Sequence, residues 1–545
     1  MADVEVRGLR LRTWKHAKPT LRHAVADARA FGDRDFLVYG EERVTHGEHA
    51  DLVATLARRL IEEYGVRKGD RVAIAMRNHP EWSVAFFAAA CAGAIVVPLN
   101  AWWTAPELEY GLRDSGSRVL IADQQRLDRL RDVLPGLGIG VMVARPDGPV
   151  PDGVRDLAAV IGEVTPGEPL PEVSLHPDDD ATIFYTSGTT GKPKGAVGTH
   201  RNICVNPVSR LYSGARARLR AGGSLSDPPP VDRNVWLLTV PLFHATGAHS
   251  VLLPALLAGD ALVIMYKWDA GKALELVERE RVTGFTCVPT MLLQFLAHPD
   301  FDRYDVSSLA GVSSGGAPAP AALADRLAEQ LPGRSPGNGY GLTETSSVAT
   351  TNAGVDYTLK AGSVGLPVAI CDTKVVDAEG KELPAGEVGE LWIKGTNVVM
   401  GYWNKPEATA AAITDGWLHT GDLARMDDDG FIFIVDRAKD MVLRGGENVY
   451  CAEVEAALYE HPDVLECAVI GVPHAELGEE VGAVVRPVPG SALEAEALTT
   501  FLTGRIAKFK IPAHIWFRPD ELPRNAAGKI LKPELRATLS GSAGG

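Results

Sequence analysis

The sequence predicts an α/β protein: a large N-terminal region of doubly wound βαβ subdomains, a small β-rich subdomain, and a small α+β domain at the C-terminal end. Three observations predict it. Short apolar runs alternate with amphipathic helical stretches through most of the chain, the pattern of a parallel sheet with helices on its faces. After about residue 360 the texture changes to short alternating strands between glycine turns, as in Thr373–Val376 and Gly389–Gly395. A tail beginning near Asp436 has its own strand–helix pattern, and the boundary falls at Lys439, dividing 1–438 from 439–545. The length of 545 residues also requires more than one hydrophobic core.

The elements follow in order. Phe36–Tyr39 and Glu42–Thr45 read as a strand pair, and Glu48–Tyr64 as a helix with apolar residues at helical spacing. Arg71–Met76 is a strand, Glu81–Cys91 a helix and Ala94–Pro98 a strand. Glu107–Asp114 and Val119–Ala122 repeat the pattern. Residues 143–180 are rich in Pro, Gly and acids and read as a surface connection; 209–232 read as an exposed excursion. Trp236–Val240, Ala261–Met265 and Phe285–Val288 are strands, with a helix near Lys272–Glu280. In the tail, Cys451–Tyr459 and Leu493–Ile506 are helices, and Leu465–Gly471 and Val481–Val488 strands.

Composition removes several classes of function. The formal net charge of −15 argues against nucleic acid or an anionic membrane held by bulk charge. Six cysteines without CxxC spacing point to reduced thiols in a cytoplasmic protein. No basic-then-apolar leader and no apolar run of membrane-spanning length are present, so no stable membrane insertion is expected.

The chemistry concentrates in Tyr185-Thr-Ser-Gly-Thr-Thr-Gly-Lys-Pro-Lys-Gly195. The apolar run Ala181–Tyr185 before it reads as a buried strand. A strand that empties into glycines, hydroxyls and two lysines makes a nest of N–H and cationic donors suited to a polyphosphate. It is not a Walker A loop: two residues separate Gly188 from Gly191, and Pro193 follows Lys192. Gly311–Pro318 and Gly337–Glu344 are two further glycine-rich strand exits. The latter is no dinucleotide fingerprint, because Leu342 stands where the last glycine is required.

These segments, with Leu418-His-Thr-Gly-Asp422 and Pro523-Arg-Asn-Ala-Ala-Gly-Lys529, resemble the adenylate-forming superfamily in the expected order. Fatty-acyl-CoA ligases are the members it is most similar to. The resemblance implies a large N-terminal domain, a small mobile C-terminal lid and an active site between them. It also implies attack of a carboxylate on the α-phosphate of ATP, with Mg²⁺, followed by transfer to coenzyme A.

By the same resemblance, Thr186, Ser187, Gly188, Thr189, Thr190 and Lys194 cradle the β- and γ-phosphates. Gly316, Ala317 and Pro318 wall the adenine, Asn338 meets its amino edge, and Tyr340, after Gly339, stacks on it. Thr343 donates to the α-phosphate and Glu344 holds Mg²⁺. Asp422 and Arg437 meet the ribose or phosphate, with Ile434 beside the nucleotide. Lys529 reaches both carboxylate and α-phosphate and is the expected catalytic group. Lys439 is the expected hinge, about which Arg444, Gly445 and Gly446 would turn in to admit a pantetheine arm.

His244, after Phe243, stands where amino-acid-activating relatives usually carry an aspartate, so the resemblance disfavours a free α-amino acid. It places His244 beside an acyl channel, and the small, mostly apolar lining (Ala245–His249, Val288, Ser313–Gly315) suits an alkyl chain or an uncharged ring. A medium- or long-chain fatty acid or a related apolar acid is the expected substrate. Transfer to an amine, or to a separate carrier protein, stays open as the alternative acceptor chemistry. A nucleotide-binding regulatory protein is disfavoured by the presence of Lys529, Glu344 and Thr343. A homodimer is also left open.

Overall fold

A computed structural model describes residues 1–186, 192–226, 233–315, 321–445, 447–474, 476–525 and 528–539. Two large mixed sheets dominate. One has seven strands, with Arg71–Ala75 near its centre, flanked by Ile95–Pro98 and Val119–Asp123 in parallel. The other has nine, with a parallel middle of Asp35–Tyr39, Ala261–Ile264, Val235–Leu238, Gly284–Cys287, Gly311–Gly315 and Ser335–Tyr340. Helices His46–Glu62 and Pro80–Cys91 pack between them in a core containing Leu56, Leu60, Trp82, Phe86 and Phe87. Helix Pro80–Cys91 is buried nearly all round, which accounts for its almost wholly apolar sequence.

Local chemistry sets the helix starts. Thr45 accepts from the Glu48 backbone N–H at 3.2 Å, and Glu48 accepts from the Thr45 N–H at 2.8 Å. This capping box satisfies two donors that a helix end leaves open and contributes about 1 kcal/mol. Residues 143–180 do more than connect: Gly140–Ala144 and Val154–Asp156 extend the seven-stranded sheet, with helix Leu157–Ile161 behind them.

The reading of 209–232 as an excursion is corrected for its first half. Helix His200–Arg220 runs through it with Pro207 inside. A second capping box, Thr199 with Asn202, starts this helix, and Ser209 and Ser213 are buried on its inward face. Its arginines and glycine suggested a loop, but tertiary packing outweighs weak local propensity. Residues 227–232 lie outside the described residues.

A five-stranded antiparallel sheet covers 371–437, including Gly389–Gly395, Trp417–Met426 and Ile432–Arg437. Residues 442–517 form another five-stranded sheet around the long pair Val464–His474 and Gly478–Pro487. Its core, with Val454, Leu458, Val469, Val485 and Leu498, is separate from the others. All six cysteines are buried and free, which agrees with the expectation of unpaired thiols. Among the described residues no helix is long and apolar enough to cross a membrane.

Candidate active site

The segment rich in glycine, hydroxyls and lysine lies between two paired strands. Strand Asp180–Thr186 pairs antiparallel with Lys194–Thr199, so Thr186 stands opposite Lys194 at the mouth. The strands press together at Gly195, where a Cβ would lie 2.4 Å from Ile183 Cγ2. Tyr185 donates from its hydroxyl to Asp114 Oδ2 at 2.8 Å, and Lys405 pairs with the other oxygen at 3.2 Å. Ser187, Gly188, Thr189 and Thr190 lie outside the described residues, as do Gly316, Ala317, Pro318 and Gly446.

The strand exits at Gly315 and Gly339 are direct neighbours in the parallel register. One residue before Gly339, Asn338 donates from Nδ2 to Ser363 O at 3.1 Å, while its buried Oδ1 has no hydrogen-bond partner among the described residues. A buried acceptor without a donor is costly in a folded protein and suits a ligand amino group. Tyr340, Leu342 and Ile434 pack against one apolar cluster. The Tyr340 hydroxyl donates to Asp422 Oδ2 at 2.6 Å, and Arg437 Nε meets Asp422 Oδ1 at 3.0 Å. Asp422 and Arg437 face each other in register on neighbouring strands, so backbone pairing fixes this ion pair. Burial, then the Asp422 charge, pushes the Tyr340 phenol well above its ordinary pKa, keeping it a donor.

After Tyr340 the chain turns sharply. Thr343 and Glu344 begin a short 3₁₀ turn, and Ser346 and Ser347 follow with φ of 52° and 95°. Such left-handed conformations are strained for residues other than glycine. Side chains from elsewhere hold the turn. Asn397 Nδ2 donates to Val348 O at 2.7 Å, Asn206 Nδ2 donates to Ser346 O, and Ser250 Oγ meets Ser347 Oγ at 2.8 Å. Gly341 allows the turn to close, since a Cβ there would stand 1.9 Å from Ser347 O.

Glu344 Oε1 accepts from the Tyr402 hydroxyl at 2.7 Å, and Lys194 Nζ stands 5.4 Å from the centre of the Tyr402 ring. Tyr402 is a site residue that sequence reasoning missed. Its signal was the run Gly401-Tyr-Trp-Asn-Lys-Pro406, which carries the strand-like bridge to Ala196. No lysine or arginine pairs with Glu344 among the described residues. A carboxylate oriented by one hydrogen bond and otherwise uncompensated fits a small hard cation, whose remaining ligands are phosphate oxygens and water.

Lys529 arrives from the C-terminal unit. Its N–H donates to Asn525 Oδ1 at 2.9 Å, and Arg524 Nη1 donates to Gly528 O at 2.6 Å and to Thr290 Oγ1 of the large region at 3.3 Å. Gly528, at φ 82°, rests on Val288 and Met291, and a Cβ there would lie 2.9 Å from Val288 Cγ2. Lys529 is half-buried, and its pKa falls to about 8, first through desolvation and then through Arg437, against the pull of Asp422 and Asp440. Lys529, Arg437 and Asp422 thus form one electrostatic unit beside Tyr340. Arg444 is not brought there: it pairs with Glu480 at 2.8 Å within the C-terminal sheet, and Gly445 is exposed. Lys439 lies exposed in the turn between Ile432–Arg437 and Val442–Arg444.

His244 precedes a wide π-helical turn, Thr246–Leu252. It is deep in the molecule, its Nε2 has no partner, and burial lowers its pKa to about 4. His249 packs edge-on against Phe184, and burial lowers its pKa to about 3 against the pull of the Ser346 backbone. Both rings are neutral at physiological pH.

A cleft of about 1050 Å³ opens between the large region and the C-terminal unit. Arg77, Lys267, Arg326, Arg486 and Arg524 line it, against Asp269 and Glu521, and Gly528 sits in its wall beside Lys529.

Fold and site together define a nucleotide-handling enzyme whose lysine is supplied by a second, smaller unit. The chain belongs to the AMP-binding enzyme family: that family's model matches residues 25–403, and the model of the AMP-binding enzyme C-terminal domain matches 453–529. It is 40% identical over 498 residues to a feruloyl-CoA synthase of an Amycolatopsis species, covering 91% of this chain and 94% of that one. It is 34% identical to a long-chain-fatty-acid–CoA ligase of Bacillus subtilis (strain 168), covering 95% and 94%. A solved anthranilate CoA ligase in complex with anthranoyl-AMP superposes with a TM-score of 0.85 at 28% identity, covering 95% of this chain and 98% of that one.

Proposed function

We propose that the protein is an AMP-forming acid–CoA ligase acting on an aromatic carboxylic acid. The observation that carries the reading is Lys529, brought by the C-terminal unit within electrostatic reach of the Asp422–Arg437 pair, whose aspartate holds the Tyr340 hydroxyl. The acid must approach a polyphosphate, and two unit charges 4 Å apart repel by about 4 kcal/mol at an effective dielectric of 20. Lys529 and Arg437 offset that repulsion where negative charge builds, which is where fixed cations act most strongly. The carboxylate oxygen bonds to the α-phosphorus as the α–β bridging oxygen leaves with pyrophosphate. Thr343 donates to the α-phosphate, and Thr186 and Lys194 hold the departing phosphates at the hairpin mouth. Asn338 Oδ1 takes the adenine amino group, and Asp422 exchanges its Tyr340 and Arg437 contacts for ribose hydroxyls. Glu344, oriented by Tyr402, would hold Mg²⁺, which supplies charge neutralisation of the phosphates.

The two lobes in this reading are 1–438 and 439–545, turning about Lys439. Rotation withdraws Lys529 after adenylation and turns Arg444 and Gly445 toward the pocket. The cationic cleft supports a polyanionic acceptor in an otherwise acidic chain, and coenzyme A is such a molecule. The names of the feruloyl and anthranilate relatives favour an aromatic acid over the expected fatty acid, and the lining suits an uncharged ring as well as an alkyl chain. The test incubates the protein with ATP, Mg²⁺, CoA and matched panels of aromatic and alkyl acids, reading pyrophosphate and thioester. Aromatic acids are expected to give the higher kcat/KM. Preference for alkyl acids refutes the substrate class, and product formed only with an added amine refutes the thiol acceptor.

A further inference from the structure

An arginine is seldom buried without a partner, because its guanidinium stays charged and carries five N–H donors. Arg210 is half-buried and has few partners. It leaves helix His200–Arg220 between the buried Ser209 and Ser213. Its guanidinium carbon lies 4.1 Å from the centre of the Trp236 ring, and Nη1 donates to Ser250 O at 2.7 Å. Among the described residues it has no other hydrogen bond and no ion pair. Asp260 accepts from Trp236 Nε1 at 2.8 Å and from the Asn234 N–H at 2.9 Å. Its charge reaches Arg210, but its oxygens are already engaged. Burial pushes the guanidinium pKa down, and Asp260 only opposes this.

Arg210 is deep in the molecule, yet it keeps partial accessibility, as do Trp236 and Ser250, which it touches. Thr246 and Ser250 are four residues apart in the wide turn that follows His244. Ser250 Oγ in turn touches Ser347, three residues beyond Glu344. These contacts form a line from the Glu344 turn, past the His244 segment, to the guanidinium. The unused donors of Arg210 stand at its far end.

We infer that Arg210 is a specificity-determining residue that binds an oxygen acceptor at the end of the acid remote from the reacting carboxylate. A phenol or a second carboxylate supplies that chemistry. This rests on the reading of the site as an acid-activating one. A guanidinium built to bond an oxygen discriminates against an analogue lacking it, because the buried donors are then left unmet.

The experiment compares wild type with Arg210→Met and Arg210→Lys on 3-phenylpropenoic acid, its 4-hydroxy and 4-carboxy forms, and a straight-chain acid of similar length. Arg210→Met is expected to lower kcat/KM for the oxygenated acids about 10–100-fold, mainly through KM, the loss expected of a hydrogen bond to a charged group. The other two acids should change by less than about threefold on the same grounds. Arg210→Lys should restore the 4-carboxy acid more than the 4-hydroxy acid, because lysine offers a point charge without the fork. Equal loss on all four acids, or a wild type indifferent to the 4-substituent, overturns the inference. Binding of the 4-hydroxy acid without ATP, read by Trp236 fluorescence, separates the two readings. Affinity that depends on Arg210, with no pyrophosphate released once ATP and Mg²⁺ are added, upholds this site and refutes adenylation, and affinity indifferent to Arg210 refutes this site alone.

Discussion

The two halves of the site treat their polar groups in opposite ways. On the nucleotide side, Asp422, Arg437 and Tyr340 are joined by short contacts, and Glu344 is held by Tyr402. On the side of the wide turn, His244, His249 and Arg210 are deep and under-partnered. The first arrangement stores its donors and acceptors in mutual contacts and can exchange them for a ligand without leaving charge stranded. The second is partly withdrawn from water and has few protein partners, so that side depends more on what the ligand brings. Chemistry common to many acids belongs on the first side, and discrimination between acids on the second.

The largest expected break of this comparison is Lys529→Ala. Loss of a cation aimed at developing charge should lower adenylation about 10²–10³-fold. Thioester formation from a supplied acyl-adenylate should stay largely intact, and equal loss of both half-reactions would contradict the role of Lys529. The same lysine sets the pH response. Its native pKa of about 8 lies below the ordinary 10.5. The native chain therefore binds fewer protons than the unfolded one between those values, and stability rises with pH across that window. For activity the sign is the reverse: kcat/KM for adenylation should fall as pH rises through about 8, and Lys529→Ala should flatten that limb. His244 should add no limb above about pH 4.

Tyr402→Phe sharpens the comparison next. It removes the hydrogen bond that anchors the Glu344 carboxylate while keeping the ring under Lys194. A hydrogen bond to a charged group contributes about 1.5–3 kcal/mol, so the Mg²⁺ concentration for half-maximal rate should rise at least roughly tenfold. The preference among acids should stay unchanged; a changed preference would mean that the halves are not independent. The smallest effect is expected from Gly528→Ala. A left-handed alanine costs about 1–2 kcal/mol, and its Cβ would press on Val288. Adenylation should slow by about 5–30-fold with CoA transfer less affected, measured as separate half-reactions.

Much of this was legible in residue order. Alternating apolar runs announced parallel sheet with helices on its faces, because each strand and helix must hide its own apolar face; the antiparallel edges that make both large sheets mixed were not announced. The glycine-rich exits at Gly311–Gly315 and Gly337–Tyr340 and the loop after Thr186 pointed to a phosphate and nucleotide site, because few side-chain patterns besides Gly, Ser, Thr and Lys can surround an anion closely. The helix through Arg210 was not legible. Its arginines and glycine resemble a loop until Ser209 and Ser213 are seen packed inward.

Tertiary structure alone decided which groups meet. Asp422 faces Arg437 only through strand register, Tyr402 reaches Glu344 across 58 residues, and Lys529 of the C-terminal unit comes within the field of both Arg437 and Asp422. Sequence records the propensity and hydrophobicity of each segment, which are local. Pairing of charges depends on distances between segments, and those exist only after the chain has closed on itself.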